Sequence, residues 1–310
     1  MKRRDYLKTV ATAGLTVVAT GGVVVEVLSQ ETNADKKCDL AAIMGGEPDV
    51  MFRRAIAEFG GMSEFVKSGQ KVVIKPNIGF ARRPEFGTTT NPLLVSEMIK
   101  QCLAVGASEV VVFDNTVNEW RSSYENSGIE AAAREAGAKV VPANDERFFR
   151  DMPLPKGKFL KQTKVHEAIL DCDVWFNVPI LKHHGGTHMS IAMKNYLGIV
   201  WDRRFFHSNN LQQCVADVCT FEKRPALNVV DAYRVLRANG PGGRSEADAV
   251  VTRALFASPD IVAVDTAAAK FLAQTAENLR AESVTHIAHA QEHGLGTMNL
   301  DKLNVRRIRV

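Results

Sequence analysis

From residue 39 onward, short apolar runs alternate with amphipathic stretches of helical length, joined by turns of a few residues. This rhythm constrains the fold more than any other feature, because a strand that leads through a helix into the next strand makes a parallel crossover. Asp39 to Met44 reads as a strand, and Asp49 to Phe59 as a helix capped by Asp49. The β-branched run Lys71-Val72-Val73-Ile74-Lys75 stops at Pro76-Asn77, and Asn91-Pro92 opens a helix that reaches about Val105 before Gly106. A strand over Glu109 to Asp114, a helix over Glu125 to Ala136 and a strand over Lys139 to Val141 continue the pattern. The expected fold class is α/β, a predominantly parallel doubly wound sheet with helices on both faces.

After a loop-rich interval around Met152 to Lys164, broken by Pro153, Pro155 and Gly157, the pattern resumes. Strands are expected over Val174 to Ile180, Ala226 to Asp231, Ala254 to Ala257 and Leu303 to Arg309. Helices are expected over His188 to Val200, Asp260 to Gln274 (capped around Ser258 or Asp260) and Glu282 to His293. Residues 35–310 then form a single α/β domain, with an insertion or subdomain boundary near 151–165 as the alternative.

Residues 1–34 read as an address. Arg3-Arg4-Asp5-Tyr6-Leu7-Lys8 precedes an uncharged stretch from Thr9 to Val25, a basic head and apolar body that look like a twin-arginine export signal. The expected location is the periplasm or the outer face of the cytoplasmic membrane, with the twin-arginine translocon as a partner. Any membrane contact is confined to this segment if it stays uncleaved. The net charge of only +4 and the 7% aromatic content exclude a nucleic-acid-binding surface. The five cysteines show no C-x-x-C spacing, which disfavours an iron-sulfur cluster.

The apolar strand runs end in polar residues. Val72-Val73-Ile74 leads to Lys75, Val110 to Phe113 to Asp114, Leu227 to Val230 to Asp231, and Trp175 to Leu181 to Lys182-His183-His184. In a parallel sheet these ends share the carboxyl edge, where ligands of open α/β folds bind. Lys75, Asp114, Lys182 and Asp231 are therefore expected along one rim. Lys182-His183-His184-Gly185-Gly186-Thr187-His188 is the densest polar segment; His184 and His188 have a four-residue spacing that suits two metal ligands on a helix. The glycine pair instead suits an anion-binding loop, with Lys182 and Lys194 supplying charge. The glycine-rich segment Asn239-Gly240-Pro241-Gly242-Gly243 reads as a lid or a surface turn.

Val73-Ile74-Lys75-Pro76-Asn77, Thr90-Asn91-Pro92, Asn177-Val178-Pro179, Met193-Lys194-Asn195, Val230-Asp231, Asn239-Gly240-Pro241 and Ser258-Pro259-Asp260 with Ala263-Val264-Asp265 together resemble the domain of unknown function 362 family. The resemblance runs from about residue 39 to the C terminus. It implies no activity, but adds Asp265 to the candidates and brings in Asn77 and Asn195 as the last residues of their motifs. The expectation is an exported protein that binds a small anionic ligand through Lys75, Asn77, Lys182, Lys194 and Asn195. Asp114, Asp231, Lys182 and Asp265 are the candidate acid/base groups or ligands of a divalent ion. The alternatives are a metal-assisted hydrolase built on His184 and His188, or an accessory subunit of an exported redox complex.

Overall fold

The computed structural model describes residues 37–310 in full; the export signal expected over residues 1–34 falls outside them. Strands β1 (Leu40–Met44), β2 (Lys71–Pro76), β3 (Glu109–Val112) and β4 (Lys139–Val140) are separated by α1 (Pro48–Glu58), α2 (Pro92–Ala104) and the pair α3 (Trp120–Asn126) and α4 (Ile129–Glu135). A hairpin of β5 (Phe149–Pro153) and β6 (Gln162–His166) follows, then α5 (Glu167–Asp171), β7 (Val174–Val178), β8 (Ile180–His184) and β9 (His188–Ser190). The chain continues through α6 (Ala192–Asn195), α7 (Arg203–Ser208), α8 (Leu211–Val218), β10 (Leu227–Leu236), β11 (Ala249–Ser258), α9 (Ile261–Ala273), α10 (His286–Glu292) and β12 (Val305–Arg309).

The main sheet has the order β12-β1-β11-β10-β7-β2-β3-β4. Neighbours are parallel throughout, apart from β11, which runs against both β10 and β1. Side chains alternate across it, so each strand feeds two faces. Val72, Ile74, Val110, Val112, Phe176 and Val178 share a fully buried apolar cluster with Met51 and Phe52 of α1, Val95 and Met98 of α2 and Ile129 of α4. Leu40 faces the opposite side, against Ala263 of α9. Helices therefore cover both faces, as the alternating pattern requires.

The helix caps follow the local chemistry. Asn91 Oδ1 accepts from Leu93 N at 2.9 Å to start α2, and Asp260 Oδ1 accepts from Val262 N and Ala263 N, both at 2.8 Å, to start α9. Asp49 is not the cap expected of α1; Pro48 opens that helix after Glu47, and Asp49 sits in its first turn. The helix expected over Glu125 to Ala136 is two, broken at Gly128, whose φ of +70° a helix cannot contain. The interval expected to be irregular is an antiparallel ladder pairing Phe149 with His166 and Pro153 with Gln162, with Pro155 and Gly157 in the connecting turn.

Candidate functional site

A polar row crosses the α9 face of the sheet at the carboxyl ends of its central strands. Lys75, Asn177 and Asn228 lie in register on β2, β7 and β10. Asn177 Nδ2 donates to Asn228 Oδ1 at 3.0 Å, and Asn195 Nδ2 donates to Asn177 Oδ1 at 2.8 Å. Burying this many amides is tolerable only because each is bonded to a neighbour.

Lys75 and Asp114 meet as a fully buried ion pair at 2.8 Å. The Lys75 ammonium also donates to Asn195 Oδ1 at 2.7 Å, while Asp114 Oδ2 accepts from Ile78 N at 2.6 Å. The backbone at Gly198 runs directly over the pair, where a β-carbon would collide with Asp114 Oδ1 and Lys75 Nζ. Lys182 Nζ donates to Asn77 Oδ1 at 3.0 Å and to Thr88 O at 2.5 Å, and lies 4.9 Å from the centre of the Phe80 ring. Burial, reinforced by Lys194 and Lys75, lowers the Lys182 pKa to about 7. Arg203, absent from the sequence reading, joins this group from α7: its guanidinium donates to Asn115 O at 2.8 Å and to Thr116 O.

Lys194 differs from the other cations. It is 8% exposed, and among the described residues no side chain or carbonyl accepts from its ammonium. Burial, with Arg203 and Lys75 nearby, brings its pKa down to about 7. Lys75, Lys182 and Arg203 thus share one carboxylate, Asp114, with Lys194 beside Lys75 and Arg203, and the cluster has more cationic than anionic groups.

The two remaining aspartates hold backbone rather than cations. Asp265 accepts from Ala192 N at 2.8 Å and Met193 N at 3.0 Å, so a carboxylate on α9 starts the short helix α6 that carries Lys194 and Asn195. Asp231 accepts from Asn91 N at 2.7 Å and Tyr233 N at 2.9 Å. The loop it fixes includes Thr90, whose hydroxyl accepts from Asn77 N and donates to Val178 O. Burial raises Asp231 to about 6 and Asp265 to about 7, overcoming the opposite pull of those N–H donors. The expected rim therefore divides: Lys75, Asp114 and Lys182 share one electrostatic cluster, and Asp231 supports it from behind.

The helix expected over His188 to Val200 is instead the hairpin strand β9, the short α6 and a tight turn over Tyr196–Gly198. His184 and His188 do not share a helix face but oppose each other across that hairpin. His184 Nδ1 accepts from Gly186 N at 3.0 Å and Thr187 N at 3.2 Å, which places its proton on Nε2. Burial, then Lys194 and Lys182, push its pKa down to about 2. With the Nδ1 lone pair taken by two backbone N–H groups and the proton on Nε2, the ring offers no free lone pair to a divalent cation, two lysines lie nearby, and among the described residues no group of three His, Cys, Asp or Glu is placed to hold one. His183 Nδ1 accepts from Gly240 N at 2.9 Å, tying the Asn239–Gly243 segment to the hairpin. All five cysteines are buried and unpaired.

A family model described as "Domain of unknown function (DUF362)" matches residues 72–270. The chain belongs to this family. Every residue of the cluster in this DUF362 member falls within the matched span, which is narrower than the stretch over which the motifs were read. A thylakoid-associated protein of Synechocystis sp. is 24% identical over 221 residues, covering 69% of this chain and 66% of the relative. The lactate racemase apoprotein from Thermoanaerobacterium thermosaccharolyticum is similar in structure with a TM-score of 0.44 and 12% identity, over 77% of this chain and 58% of that one. A Thermotoga maritima protein gives a TM-score of 0.42 and 14% identity, over 64% and 54%. The chain thus spans 66%, 58% and 54% of these proteins' lengths. No helix among the described residues is long and apolar enough to cross a membrane.

Arg203 carried no signal in the sequence because Trp201-Asp202-Arg203-Arg204 reads as a solvated turn. Asn177 and Asn228 were legible as amides inside otherwise apolar runs, Trp-Phe-Asn-Val and Leu-Asn-Val-Val.

Proposed function

We propose that this DUF362 member is an exported protein that binds a small organic anion at the carboxyl edge of its sheet. The observation that carries the reading is Lys194, a largely buried side chain whose ammonium has no partner among the described residues, next to Arg203 and two further lysines. Burial without a partner disfavours the charged form of such a group, which is why its pKa falls to about 7. A fold that retains one beside other cations gains most when an anion arrives. Lys75 and Lys182 already have acceptors, so they shape the site and set its potential; Lys194 meets the head group, joined by the Arg203 N–H groups left over from its bonds to Asn115 O and Thr116 O. Lys182, with a pKa near neutrality, is the group placed to move a proton if the ligand is also a substrate. The Arg3-Arg4 motif and the thylakoid-associated relative support export.

Calorimetric titration with inorganic phosphate and with acetate at pH 8 tests the reading. Binding should take up protons, because an anion raises the lysine pKa values, and the apparent enthalpy should therefore vary with the ionisation enthalpy of the buffer. Lys194→Met should weaken binding at least tenfold with little change in the urea unfolding midpoint. Unchanged affinity in that variant overturns the assignment.

A further inference from the structure

Beside the cation cluster lies an open cleft of about 1180 Å³, bounded by the segment after β3, the β5–β6 hairpin and α7. Of the cluster cations Arg203 alone lines the cleft, and it couples electrostatically to Lys194 behind it. The cleft walls carry aromatic rings in unusual number for a chain with 7% aromatic content: Trp120, Phe159, Trp201 and Phe205. Phe159 is 47% and Phe205 39% exposed, and their ring centroids lie 6.3 Å apart, one from the hairpin turn and one from α7.

The support behind Phe159 is built. The Asp217 carboxylate accepts from Lys158 N at 2.9 Å, Phe159 N at 2.6 Å and Leu160 N at 2.7 Å, and also bonds Gln213 and His293 at 2.8 Å each. A solvent-facing phenyl ring is thereby held on a turn fixed by a fully buried carboxylate. The charges on the walls largely neutralise one another, as in Lys164 with Glu146 at 2.6 Å. Selection for an anion falls to Arg203 and the lysines behind it, and selection for the rest of the molecule falls to the rings.

We infer that the ligand is an aromatic oxyanion, whose carboxylate or phosphate meets Arg203 in the field of Lys194 behind it and whose flat apolar body lies among Phe159, Phe205 and Trp201. This rests on the anion reading above and names the ligand's chemical class. Rings in such a setting prefer offset or edge-on contacts with centroids about 4.5–7 Å apart, the range the Phe159 and Phe205 pair already shows.

The test compares charge-matched probes on the full chain at pH 8: phenyl phosphate against inorganic phosphate, and benzoate against acetate. Affinities are measured by calorimetry, with tryptophan emission followed in parallel, since Trp120 and Trp201 are two of the three tryptophans. The aromatic member of at least one pair should bind tenfold or more tightly and change the emission. In the Phe159→Ala/Phe205→Ala double variant, the preference should fall below threefold. Equal affinities within both pairs, with dependence on Lys194 retained, or a preference that survives the double substitution, overturn the aromatic assignment and leave the anion reading standing. No binding of any of the four probes overturns both.

Discussion

The two faces of the central sheet are built from the same strands, one residue apart, and have opposite chemistry. Val72, Ile74, Phe176 and Val178 face α1, α2 and α4 in an apolar layer. Their neighbours Lys75 and Asn177 face the other way, into a network of amides, cations and one carboxylate. An apolar layer tolerates imperfect packing at modest cost, whereas a buried polar layer holds together only if every group keeps its partner. The difference teaches that stability on the polar face is conditional, and that Lys194, a cation without an acceptor among the described residues, marks where a ligand would complete it.

The largest expected effect follows from breaking the polar layer at its most buried bond. Asp114→Ala leaves the Lys75 ammonium without its counter-charge and should cost about 3–5 kcal/mol in urea unfolding. Combined with Lys75→Met, it should cost clearly less than the two single changes added together. Additive losses would show that the pair is not a unit.

Next comes pH. Lys182 and Lys194 both have folded-state values near 7, below the 10.5 of an exposed lysine, so the unfolded chain binds more protons between these limits. Stability should therefore rise as pH increases from about 7 to 10, by up to about 1.4 kcal/mol per pH unit for each group. Lys194→Met should remove roughly half of that slope; an unaltered slope would place the effect in other groups.

The origin of these two layers was only partly readable from the chain. Strand runs with polar ends brought Lys75, Asp114 and Lys182 to one edge because parallel topology leaves little choice. Strong caps such as Asn91 and Asp260 located α2 and α9. Some of what failed was local, as at Gly128, and the rest depended on contacts distant in sequence. The stretch after His188 has helical periodicity, but Gly185-Gly186 turns it into a hairpin, and helix formation waits for the carboxylate of Asp265 to meet Ala192 N. The isolation of Lys194 was equally invisible, because it depends on where the acceptors of three other elements point.

Asp265 supplies a smaller effect of opposite sign. Its folded value, about 7, is above its ordinary 3.8, so the folded state holds the extra proton. The corresponding stability is full below about pH 4 and is lost as pH rises through about 7. Asp265→Asn should flatten that decline while costing about 1–3 kcal/mol from the backbone N–H group left without a partner. The residual slope belongs to Asp231, raised to about 6. A full decline in the Asn variant would remove Asp265 from this account.

The smallest effect gives the sharpest comparison. Ile74→Val deletes one methylene from the apolar face, at a position adjoining Lys75, and should cost about 0.5–1.5 kcal/mol. Because the two side chains leave the strand in opposite directions, the Lys75–Asp114 pair should keep its geometry, and phosphate affinity should stay within twofold. A larger loss of affinity would mean that backbone shifts carry strain through β2 from one layer to the other. The polar network would then depend on close packing beneath it as well as on its own hydrogen bonds.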